Sequence, residues 1–362
     1  MLQLKVKRIE EYLTSVYGGA VKVARVEPMC TGEGLADLKG FGYGVPYFVE
    51  FEVGGEMKRV VLETMRTEGF GHDHFSDRAA VLLWQHSTFN KLPRHVRSVD
   101  VGSFATDCET LKSVGDCCEF FLLTEFVDGH LYHDDLDRIR DNGQMADVDE
   151  ERCLALSDYL VQIHKVKKDA PELYKRRIRE LVGHSEGIFG LTDSYPENLG
   201  YVNVKFFVDF EKTCAEWRWK LKRMTGRLSQ VHGDFHPWNV MFRKDLDFTV
   251  LDRSRGEWGE PADDVSAMTI NYLFYSMQMP GEIQSPFMKL FLLFWRNYYD
   301  KTADEEILSV VPIFYAWRSL VIASPLWYPM LTPSVRQKIF RFAHRVLQSK
   351  KFEFEDVEKY LK

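Results

Sequence analysis

The sequence predicts an α+β fold, with a small antiparallel-sheet lobe followed by a large helical lobe. Three observations predict it. Strand-like alternation is confined to the first third of the chain. Tight-turn glycines cluster in that same third. Beyond about residue 130, apolar residues recur at helical spacing.

The elements follow in order. MLQLKVKRIEEYL at the start is a charged amphipathic helix without the apolar core of a signal peptide. LKGFGYGVP supplies a glycine-rich turn at Gly40, Gly42 and Gly44. PYFVEFEV (46–53) alternates, Gly54 and Gly55 make a hairpin turn, and EMKRVVLETM (56–65) returns. Residues 72–92 have helical spacing through Phe75, Ala79, Leu82, Leu83, His86 and Phe89. A further strand pair is expected at 99–104 and 119–126, with Cys117 and Cys118 as two buried thiols on a strand. The pattern breaks at VDGHLYHDD. Cys153, Leu156, Leu160 and Ile163 then mark a helix over about 150–167. A loop-rich stretch at 183–201 leads to a helix at 205–224. Four helical patterns end the chain, at 286–299, 305–322, 334–348 and 355–361. The expected units are 1–124, a joint at 125–129, and 130–362.

Composition narrows the function. With 47 basic and 54 acidic residues, the formal charge is −7, which argues against non-specific nucleic-acid binding. The six cysteines show no CxxC spacing, so no zinc ribbon or thioredoxin-type site is expected. The longest apolar stretches, 307–317 and 319–331, are split by Arg318 and are too short to span a bilayer, which needs ~20 residues. A soluble, cytoplasmic protein with free thiols is expected, without a nucleic-acid or membrane partner. Residues 128–152 carry nine carboxylates against three arginines. The bland reading is a solvated loop and helix start. The sharper one is a surface that attracts a cationic small molecule.

The most informative stretch is VHGDFHPWNVMF (231–242), which sets two histidines, an aspartate and an asparagine among apolar residues. VMF (240–242) and FTVLD (248–252) flank RKDLD as a short hairpin. A hairpin brings its ends together, so Asp234, Asn239 and Asp252 converge. One amide and one carboxylate are oxygen donors suited to Mg²⁺. A second carboxylate, five residues before the asparagine, suits a hydroxyl proton.

These residues resemble a known family. HGDFHPWN resembles the HGDxxxxN motif of the aminoglycoside phosphotransferase and choline kinase families, and VLDRSRGEWGEPADDVSAM resembles their downstream motif. The resemblance implies a bilobal, protein-kinase-like fold and an ATP- and Mg²⁺-dependent transfer to a small hydroxylated acceptor. It implies Asp234 as catalytic base or hydroxyl-orienting group and Asn239 and Asp252 as metal ligands. His232, Gly233 and Asp264 would support the loop. Backbone groups of Glu125, Phe126 and Val127 would meet the adenine edge. The phosphates would lie under the turn at Gly40, Gly42 and Gly44, or under an earlier one at 31–34.

Rival readings are a dinuclear metal hydrolase, a protein kinase, and a kinase-fold protein that binds nucleotide without transfer. The first lacks further ligand motifs. The second would have HRD, DFG and APE, where this chain has HGD and LDR and no APE segment. The third stays open because Glu63 stands where the fold usually places a phosphate-binding lysine. Lys58, Arg59, Arg66 and Arg78 are the nearby bases, and Asp77 is a candidate for the helix acid.

Overall fold

The computed structural model describes residues 4–29, 44–67, 71–91, 94–120, 122–197, 199–279 and 285–362. The chain divides into two compact units, Met1–Thr124 and Glu125–Lys362.

In the first unit, α1 (Val6–Tyr17) precedes β1 (Val21–Pro28), β2 (Gly44–Val53) and β3 (Glu56–Met65). The three strands form an antiparallel sheet in the order β1-β2-β3. Val53 pairs with Glu56 across the turn, and Gly54 and Gly55 both have positive φ, 58° and 80°. Such a two-residue turn matches the twist of the flanking strands, and glycine adopts it at no steric cost. Ile9 and Leu13 of α1 bury against Val49, Phe51 and Val53 of the sheet. Then come α2 (Phe75–Phe89), β4 (Gly102–Phe104) and β5 (Leu111–Ser113), the last two forming a hairpin.

Four expectations are corrected here. Gly44 belongs to β2, opposite Met65, and not to a turn; Gly40 and Gly42 lie outside the described residues. The helix at 72–92 is shorter than expected and buries none of its residues. The described residues of 119–126 do not form a strand: Leu122, Leu123 and Phe126 are almost fully exposed. Cys117 and Cys118 are exposed in irregular backbone. A short apolar run signals burial only where a partner strand exists. Among the described residues, β4 pairs with β5 instead.

The second unit begins with β6 (His130–Leu131), α3 (Tyr132–Asn142), α4 (Asp147–His164), α5 (Pro171–Gly183), α6 (Ile188–Asp193) and α7 (Val204–Leu221). β7 (Ser229–Gln230), β8 (Val240–Phe242), β9 (Phe248–Val250) and β10 (Trp258–Gly259) follow. The unit ends with α8 (Pro261–Ser276), α9 (Pro286–Thr302), α10 (Val311–Ala323), α11 (Pro333–Gln348) and α12 (Glu358–Leu361). The small sheet runs β6-β8-β9, and β7 pairs with β10. At the entry to β6, Gly129 has φ +150°, and a Cβ there would lie 2.5 Å from the Phe242 carbonyl oxygen. Only glycine fits that approach.

α8 is the helix the sequence pattern conceals. Fifteen of its sixteen residues are buried, so it has no polar face and no amphipathic period. It packs between α9 and α10, and α4 packs on α9. Phe291, Phe294 and Trp295 of α9 are fully buried in this core. Each such side chain contributes roughly 1.5–3 kcal/mol of transfer free energy. No described helix is long and apolar enough to cross a membrane.

Candidate active site

The stretch between β7 and β8 crosses the core of the second unit, and its backbone is tied from behind. The Asp264 carboxylate, fully buried on α8, accepts the His232 N–H and the Gly233 N–H, both at 2.7 Å. His164 of α4 adds a third contact through Nε2 at 3.2 Å, and its Nδ1 meets the Tyr298 hydroxyl of α9 at 2.8 Å. Three helices thereby hold two consecutive amides. Burial alone would raise the Asp264 pKa; the bonds from His164 and the loop overcome it and hold the carboxyl below its ordinary value. Gly233 turns the chain with φ +88°, a region that glycine enters without strain.

The side chains of the loop sit on this frame. His232 is buried, packs on Phe235 and accepts the Asp234 N–H through Nδ1 at 3.3 Å. Burial lowers its pKa. His236 accepts the Trp238 N–H through Nδ1 and packs beside the Trp238 ring, with a pKa pushed down to about 4, first by burial. Asn239 Nδ2 donates to the Asp234 carbonyl at 3.1 Å, and its own carbonyl accepts the Leu251 N–H at 2.8 Å.

That last bond continues the β8–β9 ladder, in which Val240 pairs with Val250. It sets Asn239 opposite Leu251, and Asp252 follows at once. Asp252 is exposed and has φ +51°, an uncommon conformation for any residue but glycine. The structure therefore brings Asp234, Asn239 and Asp252 to one end of one hairpin.

Two arginines complete the site. Arg318, buried on α10, places Nη1 2.5 Å from Asp234 Oδ1. Arg255 places its own Nη1 2.9 Å from the same oxygen. Arg318 also bonds Asp263 and the Gly233 carbonyl through Nη2. The Trp317 ring lies 4.1 Å from the Arg318 guanidinium and 4.8 Å from that of Arg255. Burial would raise the Asp234 pKa, but Arg318, Arg255 and His236 outweigh it and hold the carboxyl at about 2. Asp263 goes the other way, to about 6, through burial and the neighbouring Asp264 charge, which together outweigh Arg318.

Arg318, Arg255, His164 and Asp263 were not singled out as site residues from the sequence. Arg318 carried a readable signal. A lone arginine inside an otherwise apolar helix is buried, and a buried charge needs a partner.

The donor set fits a hard divalent cation. Asn239 Oδ1 and the Asp252 carboxylate are oxygen donors, and neither makes an intramolecular bond among the described residues. Two protein oxygens, with the remaining positions left to phosphate and water, are what Mg²⁺ takes. Among the described residues, no group of three His, Cys, Asp or Glu side chains is placed to hold a metal.

Other predicted positions stand apart from this constellation. Glu125, Phe126 and Val127 are exposed, irregular backbone at the start of the second unit. In the first unit, Glu63 is exposed, on the face of β3 opposite the one whose Val60 and Leu62 pack on the α1 core. Arg59 pairs with Glu50, Lys58 lies over Tyr17, and Arg78 bonds the His72 carbonyl. Asp77 caps α2 through the His74 N–H. A cavity of about 1230 Å³ in this unit is lined by Leu62, Glu63, Arg78, Leu83 and Asp100, among others, and by none of the residues around Asp234. The acidic segment is largely engaged within the fold: Asp135 pairs with Arg152, Asp149 with Arg138, and Asp137 with Arg140. Asp135 and Asp149 are buried, so this part of the segment is not the solvated face of the bland reading.

The model of the phosphotransferase enzyme family matches residues 92–284, more than half of the chain and the whole constellation from Asp234 to Asp264. The chain belongs to this phosphotransferase family. It is a phosphotransferase by family, and its fold is α+β. No curated protein sequence matches it. Among solved structures, it is similar to an amicoumacin kinase in complex with AMP-PNP and Ca²⁺, at 17% identity, 89% coverage of this chain, 90% of that chain and a TM-score of 0.43. A glucosamine kinase in complex with glucosamine, ADP and inorganic phosphate matches at 13% identity, 93% and 98% coverage, and a TM-score of 0.42. A choline kinase from Streptococcus pneumoniae matches at 13% identity, 94% and 98% coverage, and a TM-score of 0.36.

Proposed function

We propose that this phosphotransferase moves the terminal phosphoryl group of ATP, with Mg²⁺, to a hydroxyl group of a small molecule. The observation that carries the reading is the convergence of Asp234, Asn239 and Asp252 at one hairpin end, on a loop pinned by Asp264. In this reading Asp234 orients the acceptor hydroxyl and takes its proton. Clamped by two guanidiniums, it is a weak base and a good orienting group. Asn239 and Asp252 would hold the cation, which when bound neutralises charge on the phosphates. Phosphoryl transfer needs little more than such positioning and charge neutralisation. The first unit would bind the nucleotide, with residues 125–129 as the joint.

A second reading, nucleotide binding without transfer, draws its support from Glu63. A carboxylate at that strand position repels phosphates unless a cation intervenes. A screen of amino alcohols, sugars, aminoglycosides and hydroxy amino acids for acceptor-dependent ADP release separates the two. Release with at least one acceptor class supports transfer. ATP binding without release from any class favours the second reading.

A further inference from the structure

The two oxygens of Asp234 are not equivalent. Oδ1 accepts from both Arg318 and Arg255. No hydrogen bond reaches Oδ2 among the described residues; His236 Nε2 lies 3.7 Å from it, beyond hydrogen-bond reach. Arg318 cannot readily let go. Its side chain is about 6% exposed, its second amino group bridges Asp263 and the Gly233 carbonyl, and its plane lies against Trp317. Releasing Asp234 would strand buried charges on both sides. Arg255 is looser, with a side chain about 29% exposed.

We infer that Arg318 is a positioning residue that fixes the Asp234 rotamer, so that Oδ2 alone receives the acceptor hydroxyl. The inference rests on the proposed phosphoryl transfer. In that step the acceptor oxygen forms a bond to the terminal phosphorus as the bond from phosphorus to the bridging oxygen breaks. The hydroxyl proton passes to Oδ2 and then to solvent, and ADP leaves with the bridging electron pair. The guanidinium suits this task because its planar fork reaches Asp234, Asp263 and a carbonyl at once. A lysine ammonium is a point charge and cannot hold that geometry.

The test compares the parent, Arg318→Lys and Arg318→Ala in acceptor-dependent ADP release, nucleotide affinity and thermal unfolding. A misplaced catalytic group costs on the order of 100-fold in rate, so Arg318→Ala should lose about that much kcat with nucleotide affinity within about twofold. Arg318→Lys keeps the charge but should still lose about tenfold, because the fork is gone. Free methylguanidinium at millimolar concentration should restore the Arg318→Ala variant at least about tenfold in kcat, a response that a merely structural role would not give.

If Arg318→Ala does not fold, Arg318→Lys carries the test alone, and a kcat equal to the parent's overturns the inference. A folded Arg318→Ala variant with parental kcat, or one that methylguanidinium leaves unrescued, also overturns it. A parent that releases ADP neither to any hydroxyl acceptor nor to water overturns the proposed transfer itself, and the inference falls with it.

Discussion

The loop around Asp234 and the strand around Glu63 are built in opposite ways. Around Asp234, the charged groups of the frame are buried and partnered: Asp264 with two amides and His164, Arg318 with Asp234 and Asp263. Glu63 and Arg59 are exposed, and Arg59, Lys58 and Arg78 are each engaged elsewhere. Buried hydrogen-bonded networks fix geometry, whereas exposed charges adapt at little cost. The contrast teaches that the loop around Asp234 is preorganised by a buried network, whereas Glu63 and Arg59 stand exposed on β3.

The largest effect that could break this comparison is at Asp264. Asp264→Leu leaves two buried amides and His164 without their partner. Removing one member of such a buried network costs about 3–5 kcal/mol, and turnover should vanish with it. Denaturant unfolding measures the first, ADP release the second. A variant with parental stability would mean that the loop is held by other contacts.

Next comes Asp252. Asp252→Asn replaces a carboxylate ligand by an amide, so the Mg²⁺ concentration for half-maximal rate should rise about tenfold or more, since such an exchange weakens a hard-cation site. An unchanged Mg²⁺ titration would remove Asp252 from the ligand set.

A third test sharpens the contrast through acid stability. Asp304 is partly buried against Arg227; burial would raise its pKa, but the Arg227 bonds hold it below the ordinary carboxyl range. A depressed folded pKa gives stability that is fully present above the unfolded value, about 3.9, and is lost as pH falls through the lower folded value. Asp264 adds to the same window, being depressed for a similar reason. Unfolding free energy should therefore drop below about pH 4, and Asp304→Asn should flatten part of that drop. A variant whose acid limb overlays the parent's would show that the pair contributes nothing there.

Much of this was legible in the sequence, for physical reasons. The hairpin at Gly54 and Gly55, the amphipathic helices and the paired motifs from His232 to Asp264 are local patterns. What stayed hidden depends on tertiary partners. α8 has no polar face to reveal it as a helix. Arg318 lies 84 residues from Asp234, so no spacing rule joins them. The run at 119–126 is apolar enough for a strand yet has no neighbouring strand to pair with among the described residues.

The smallest effect concerns Glu63. If the first unit adapts to phosphate, Glu63→Lys should tighten ATP binding by about 5–10-fold, the gain expected when a repulsive exposed charge becomes attractive. Weaker binding would show that Glu63 already orients a base toward the nucleotide.

The most direct measurement of the central claim is turnover and ATP affinity of Asp234→Asn beside the parent, with an acceptor found by the hydroxyl screen. The account predicts a loss of about 10²–10⁴-fold in acceptor-dependent ADP release with ATP affinity retained, because Asp234 handles the acceptor proton while Asn239 and Asp252 hold the cation. Unchanged turnover in a folded Asp234→Asn protein would contradict it.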